Sequence, residues 1–154
     1  MAGRHGRTAY RLPADEVDAR VEFRVRRRTV FEREKPTPLV ALVHEAALRM
    51  RYGGRKVAKG QLEFLLETSA WPAVTVRVIP FACEEFIEAA HSLLYASGVV
   101  PQLDTVHLDG PLGGIPVTDA AGLVRFAGML DFAERAALSE RASRQLIHHI
   151  AQEL

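Results

Sequence analysis

Two short polar clusters in this chain have the residue types for chemistry. His44-Glu45 closes an apolar run, Leu39 to Val43, and His107 and Asp109 stand two apart in a later one. Alternation along a strand sends residues two apart to one face, so the His107 imidazole and the Asp109 carboxylate should point the same way. Polar groups at strand ends of a sheet protein often line a cleft. Histidine titrates near neutrality and suits acid–base work. His44, Glu45, His107 and Asp109 are therefore expected to bind a polar ligand. The alternative is an enzyme in which His44 or His107 moves a proton and Glu45 or Asp109 orients it. Surface or capping roles are the plainer reading of the same residues.

Other candidates carry less. A metal site needs three or four convergent ligands. His148 and His149 are adjacent on a helix, about 100° apart, and do not face one ion easily. Glu88 and His91, three apart on a helix, could chelate, but no recognised ligand motif is present. No metal and no cofactor are expected. Cys83 would need a lowered pKa to act as a nucleophile, and Glu84 and Glu85 oppose that, so an inert packed thiol is the simpler expectation. Gly110-Pro111-Leu112-Gly113-Gly114 lacks the lysine and serine or threonine of a P-loop and reads as a turn. Trp71, Phe81, Phe86 and Tyr95 are not interleaved with basic residues, which favours core over a base-stacking platform.

The elements that must position these residues follow from pattern. With 154 residues, 48% hydrophobic and 25% charged, the chain suits one soluble globular domain. No apolar run is long enough for a bilayer and no signal-peptide pattern opens the chain, so no membrane partner is expected. One cysteine allows no internal disulfide, which suits a reducing cytoplasm. Residues 1–12 are polar, basic and glycine-containing and are expected to be loose; residues 13–154 are expected to form the domain. Met1 to Lys35 holds ten Arg and Lys against six acids. A nucleic-acid footprint is one reading of that bias, but Glu16 with Arg20 and Glu22 with Arg26 have the spacing of ion pairs on a solvated helix.

Pro13 and Asp15 mark a helix start, with Ala14, Val17, Val21 and Val25 on one face. Val21 to Val25 also alternates as a strand would. Leu39 to Val43 suits a strand covered on both faces. A helical turn over Ala46 to Met50, a Gly53-Gly54 turn and a helix from Lys56 to Ser69 follow. Val74 to Ile79 is a half-buried strand. Cys83 to Ser97 is ambiguous: Phe86, Ile87, Ala90, Leu93 and Leu94 fit a helix, while Ser92 to Ala96 also fits a strand. Leu103 to Leu108 reads as a strand. Asp119 caps one helix, with Leu123, Phe126, Ala127, Leu130, Ala133 and Ala137 as its stripe. Ser139 with Glu140 starts the last, with Ala142, Leu146, Ile147, Ile150 and Leu154 inward. The expected fold is α/β (α+β): a small mixed sheet of about four strands covered by helices, ending in a helix hairpin.

The motif order carries a resemblance. Glu45-Ala46-Ala47-Leu48, Gly53-Gly54, Gln61-Leu62, Val74 to Phe81 ending Ile79-Pro80-Phe81, and Ala137-Leu138-Ser139 follow one another at fitting spacings from about Ala19 to Leu154. The succession resembles the carboxy-terminal domain of unknown function in actinobacterial helix-turn-helix regulators of the xenobiotic-response-element type. The resemblance implies a sensing or partner-binding domain that controls a DNA-binding head, often beside a small antitoxin-like or toxin-like protein. Three departures stand out. No segment before Ala19 is long enough for a helix-turn-helix. Ala82 to Glu88 replaces the family's glycine-rich turn. His44 stands where the family usually has an acid, and His107 where it has an aromatic. The expected function is thus a non-catalytic sensor-type domain binding a small molecule or a small partner protein. A homodimer stays open, and direct nucleic-acid contact is disfavoured without a separate head. An enzyme recruited from the scaffold, for example in natural-product tailoring, is the alternative.

Overall fold

Prolines set the first boundary. Pro36 and Pro38 cannot continue a helix, and the backbone ahead of each is pushed towards extended geometry. The computed structural model describes residues 13–31, 33–84, 92–110 and 113–154. The chain divides there into two compact units, Met1–Pro38 and Leu39–Leu154.

In the first unit, helix α1 spans Ala14–Arg26 and tightens into a 3-10 turn over Arg27–Phe31. The strand reading of Val21 to Val25 gives way to helix. Asp15 and Glu16 lie at its positive end and Arg24 and Arg26 at its negative end, which favours the helix electrostatically. The expected ion pairs form: Arg20 to Glu16 at 2.7 Å and Arg26 to Glu22 at 2.8 Å. The Arg27 guanidinium sits 4.8 Å from the centre of the Phe23 ring. Val17, Val21 and Val25 share a face, yet α1 has no buried residue.

The second unit begins with a parallel pair. Strand β1, Leu39–His44, runs beside β2, Val74–Ile79, with Leu39 opposite Val74 and His44 opposite Ile79. Parallel strands need a crossover, supplied by α2, Glu45–Arg49, and α3, Arg55–Thr68. Between them Gly53 and Gly54 take φ of 73° and 91°, a region costly for residues with a Cβ. Alternation in β2 works as expected: Val74, Val76 and Val78 are buried, and Ile79 joins them at the strand end.

A second, antiparallel sheet holds β3, Ser92–Ala96, β4, Thr105–Gly110, and β5, Gly113–Val117, in that order. The described strands thus fall into two sheets of two and three. Ser92 to Ala96 takes the strand form of its two readings, which removes Leu93 and Leu94 from the helical stripe; residues 85–91 lie outside the described residues. Within Gly110 to Gly114, Gly110 pairs with Gly113 and β5 continues from there, while residues 111–112 lie outside the described residues. Gly and Pro are poor strand formers, which hid β5, but an edge strand tolerates Pro116.

Helices α4, Ala120–Ala136, and α5, Glu140–Gln152, form the carboxy-terminal pair. The Asp119 carboxylate accepts from the Gly122 N–H at 2.8 Å, and the Ser139 hydroxyl accepts from the Ala142 N–H at 3.3 Å. Helix α5 packs on α3 and β2, with Ile147 and Ile150 fully buried. Helix α4 touches β2 in one sheet and β4 in the other, and so joins them. Its Ala133, with Ala137 just beyond its end, packs on Ile79, with Leu42 and Cys83 alongside. Cys83 therefore contributes to packing.

The edge of β2 away from β1 is finished by the α4–α5 turn rather than by a third strand. Leu138 N–H donates to the Val78 carbonyl at 2.9 Å. Val78 N–H donates to the Ser143 hydroxyl at 2.9 Å, and Ser143 is wholly buried. Arg77, on the same strand, grips the turn from outside: Nε donates to Leu138 O and Nη2 to Ala137 O, both at 2.8 Å, and Nη1 reaches Glu134 at 3.3 Å.

Candidate functional site

His44 and Glu45 stand where β1 becomes α2, and the junction defines their work. The His44 Nδ1 accepts from the Ala46 N–H at 3.2 Å, so the imidazole is the amino-terminal cap of α2. Its ring meets Phe81 edge-on, centroids 5.6 Å apart. Glu45 is buried. One carboxylate oxygen accepts from the Phe81 N–H at 2.9 Å and the other from Arg49 Nε at 2.7 Å. Arg49 also donates to Glu153 at 2.8 Å, and His149 lies 3.1 Å from the same carboxylate. Burial alone would raise the Glu45 pKa. The Phe81 N–H, the Arg49 bond and charge, and the nearby His44 outweigh it and hold the carboxyl below its ordinary range. The bonds to Glu45 and Glu153 in turn raise Arg49. This cluster ties the ends of β1 and β2 to the last turn of α5.

His107 and Asp109 sit on β4, the central strand of the antiparallel sheet, and do face one way: Nε2 lies 3.7 Å from the Asp109 carboxylate. Register shows their neighbours. Leu94, His107 and Pro116 form one rung, and Ser92, Asp109 and Gly114 the next on the same face. The opposite face carries Tyr95, Val106 and Val117, with Val106 wholly buried. The His107 face is the open one. Both side chains keep about a third of their surface, 38% and 34%. A Cβ on Gly114 would fall inside the His107 imidazole, so the ring lies directly over that glycine's backbone. Only glycine leaves room for it.

The chain matches a domain of unknown function, DUF5753, over residues 4–149, nearly its whole length. The chain belongs to the DUF5753 family. The match bears out the resemblance at the level of a domain of unknown function. No curated protein and no solved structure matches the chain.

In this DUF5753 domain the two polar pairs stand on different elements, His44 and Glu45 at the β1–α2 junction and His107 and Asp109 on β4 of the other sheet. Among the described residues no hydrogen bond, ion pair or ring contact joins them. The open hollows among the described residues include one of about 370 Å³ bordered by Arg77, Asp131, Glu134 and Arg135, and one of about 310 Å³ bordered by Leu66, Arg144, Gln145 and His148. Neither is bordered by His44, Glu45, His107 or Asp109. Among the described residues no three His, Cys, Asp or Glu side chains converge as metal ligands. His148 and His149 turn to Gln152 and Glu153 respectively. Glu88 and His91 lie outside the described residues. No described helix is long and apolar enough to cross a membrane.

Sequence reasoning did not reach Gly114, Phe81 N–H or Arg49 as parts of these clusters. Arg49 had a signal, since it lies four residues after Glu45. Gly114 had a weaker one, as the second glycine of the Gly113-Gly114 pair. Replacing Gly114 with alanine should push the His107 ring aside. The expected result is a changed His107 imidazole resonance in NMR, other histidines unmoved, at a stability cost of about 1–2 kcal/mol. An unchanged His107 signal would show that the ring does not rest on Gly114.

Proposed function

We propose that this chain is a binding module of the sensor type, which takes a polar small molecule or a short polar segment of a small partner protein on the open face of the antiparallel sheet. The carrying observation is the His107–Asp109 pair: about a third exposed, aimed the same way, with the imidazole over Gly114, Leu94 and Pro116 on the His107 rung, and Ser92 on the Asp109 rung. A donor–acceptor pair on a shallow floor suits a ligand with both hydrogen-bonding functions. His44 and Glu45 stand outside this site, since their polar atoms already hold α2 and the loop after β2. Binding then acts by shifting a conformational equilibrium or a protein contact. The motif order shared with the carboxy-terminal domains of actinobacterial helix-turn-helix regulators supports a role in controlling such a head, carried on another chain or segment.

A thermal-shift screen of polar metabolites tests the reading. A ligand at 100-fold its Kd should add about 2.7 kcal/mol of stability by mass action. His107→Ala and Asp109→Ala should each remove that gain while leaving the unliganded Tm within a few degrees. A ligand whose stabilisation survives both substitutions would rule out this face. Turnover of the ligand that is lost in the same variants would favour the enzyme instead.

A further inference from the structure

Two edges of the antiparallel sheet are built differently, and the difference points to a partner. Strand β5 carries Pro116, which has no N–H to offer a further strand, and edges are commonly blunted in that way. Strand β3, Ser-Leu-Leu-Tyr-Ala, has neither proline nor charge. Among the described residues it is an edge strand of its sheet. The uncharged run continues from Ser92 to Leu103 in a chain that is one quarter charged. Leu94, Val99, Val100 and Leu103 along it are exposed, Val99 completely.

The run is not loosely held. Asp104 closes it like a clasp: one carboxylate oxygen accepts from the Gly98 N–H at 3.0 Å and the other from the Tyr95 hydroxyl at 3.2 Å. Burial and the Asp104 carboxylate both raise the Tyr95 pKa, so the hydroxyl stays protonated and donating. The clasp fixes the connection to β4 while leaving its valines and Leu103 outside. A fixed, uncharged apolar arm continuing from a strand edge with no described neighbour is the pattern of an interface rather than of a solvated surface.

We propose that β3 is a self-association edge, pairing antiparallel with β3 of a second copy about a two-fold axis at Leu94. The register of a five-residue strand then closes on itself: Leu94 meets Leu94 of the copy, Leu93 meets Tyr95, and Ser92 meets Ala96. Every such pair is uncharged, so the two-fold brings no like charges together, a condition the Arg-rich α1 would violate. The clasped arms bring Val99, Val100 and Leu103 to the flanks of the junction, adding apolar area to the ladder. The result is one six-stranded sheet ordered β5-β4-β3-β3-β4-β5, with the two His107 faces continuous.

Sedimentation velocity of the full chain over a dilution series should show a species of twice the chain mass that dissociates on dilution. Leu94→Lys places two ammonium groups opposite each other and should weaken the dimer at least roughly tenfold, with near-ultraviolet circular dichroism unchanged. A second variant reads the same geometry by proximity and does not depend on a lysine being tolerated in the sheet. Opposed residues in an antiparallel pair have Cβ atoms about 4.5–5.5 Å apart. Leu94→Cys in a Cys83→Ser background should link chain to chain with a short bis-maleimide, while Ile115→Cys, exposed on the other edge, should not. A wild-type chain that stays monomeric at every concentration would assign the edge to a different partner and overturn the proposal. Equal linking at Ile115→Cys, or none at Leu94→Cys, would overturn it as well.

Discussion

Arg77→Ala should destabilise the domain by about 2–4 kcal/mol, seen as a Tm lower by roughly 5–15 °C. The size follows from what the guanidinium holds. Its fork donates to Leu138 O and Ala137 O, both at 2.8 Å, where α4 has ended and its last carbonyls lack helical partners. Charge-assisted bonds to such carbonyls are stronger than neutral ones. With the fork gone, the turn would still be tied to β2 by Leu138 N–H and the Ser143 hydroxyl, so the fold should survive. Arg77→Lys should recover little, because an ammonium cannot make two parallel bonds in one plane. Glu134→Ala should cost less than about 1 kcal/mol, since that carboxylate is half-exposed and its bond to Arg77 is long. Urea titration distinguishes these outcomes: the midpoint should fall for Arg77→Ala with an unchanged slope. An Arg77→Ala chain within 0.5 kcal/mol of wild type would mean the turn is held by its backbone bonds alone.

That grip also shows what the sequence could and could not reveal. The ends of α4 and α5 were legible because capping is local chemistry: an Asp or Ser within three residues of the N–H it accepts from. The same holds for β2, where alternation in six residues tracks burial, and for the two positive-φ glycines. Arg77 was not legible. Its partners lie some sixty positions away, and a lone arginine in a strand looks like any half-exposed polar residue. The His44 cap, one of the plainer roles its position allows, is weakly legible because Ser, Thr, Asp and Asn are the usual caps and histidine suits acid–base work as well. Strand β5 was missed because Gly113-Gly114-Ile115-Pro116-Val117 has the composition of a loop and is a strand only by pairing with β4. The His107–Asp109 pairing was readable from spacing. Its separation from His44–Glu45 was not, because periodicity places residues on a face but says nothing about which sheet a strand joins. The apolar face of α1 makes the same point, since its spacing matches a core helix while its valines stay exposed.

Glu45→Gln is expected to lower stability by about 1–3 kcal/mol at neutral pH, with an effect that fades in acid. The carboxylate is buried, and it serves two elements at once, the loop after β2 through Phe81 N–H and α2 through Arg49. A neutral amide keeps the shape but weakens both bonds, and its NH₂ end can face a donor. The pH sign follows from linkage. Folding lowers the Glu45 pKa, so the unfolded chain binds the proton more readily. Stability from this group is therefore fully present above the ordinary carboxylate range and declines as pH falls from that range through the lowered folded value. Below it, both states are protonated and the contribution is gone. Wild type and Glu45→Gln should then differ most at neutral pH and converge in strong acid. His149→Ala, on the exposed outer end of the same chain of contacts, should leave that convergence in place, because it touches Glu153 and not Glu45. Parallel stability curves for wild type and Glu45→Gln across the acid range would mean the carboxylate's charge is not what binds β1, β2 and α5 together, leaving the His44 cap and its edge contact with Phe81 to hold that corner.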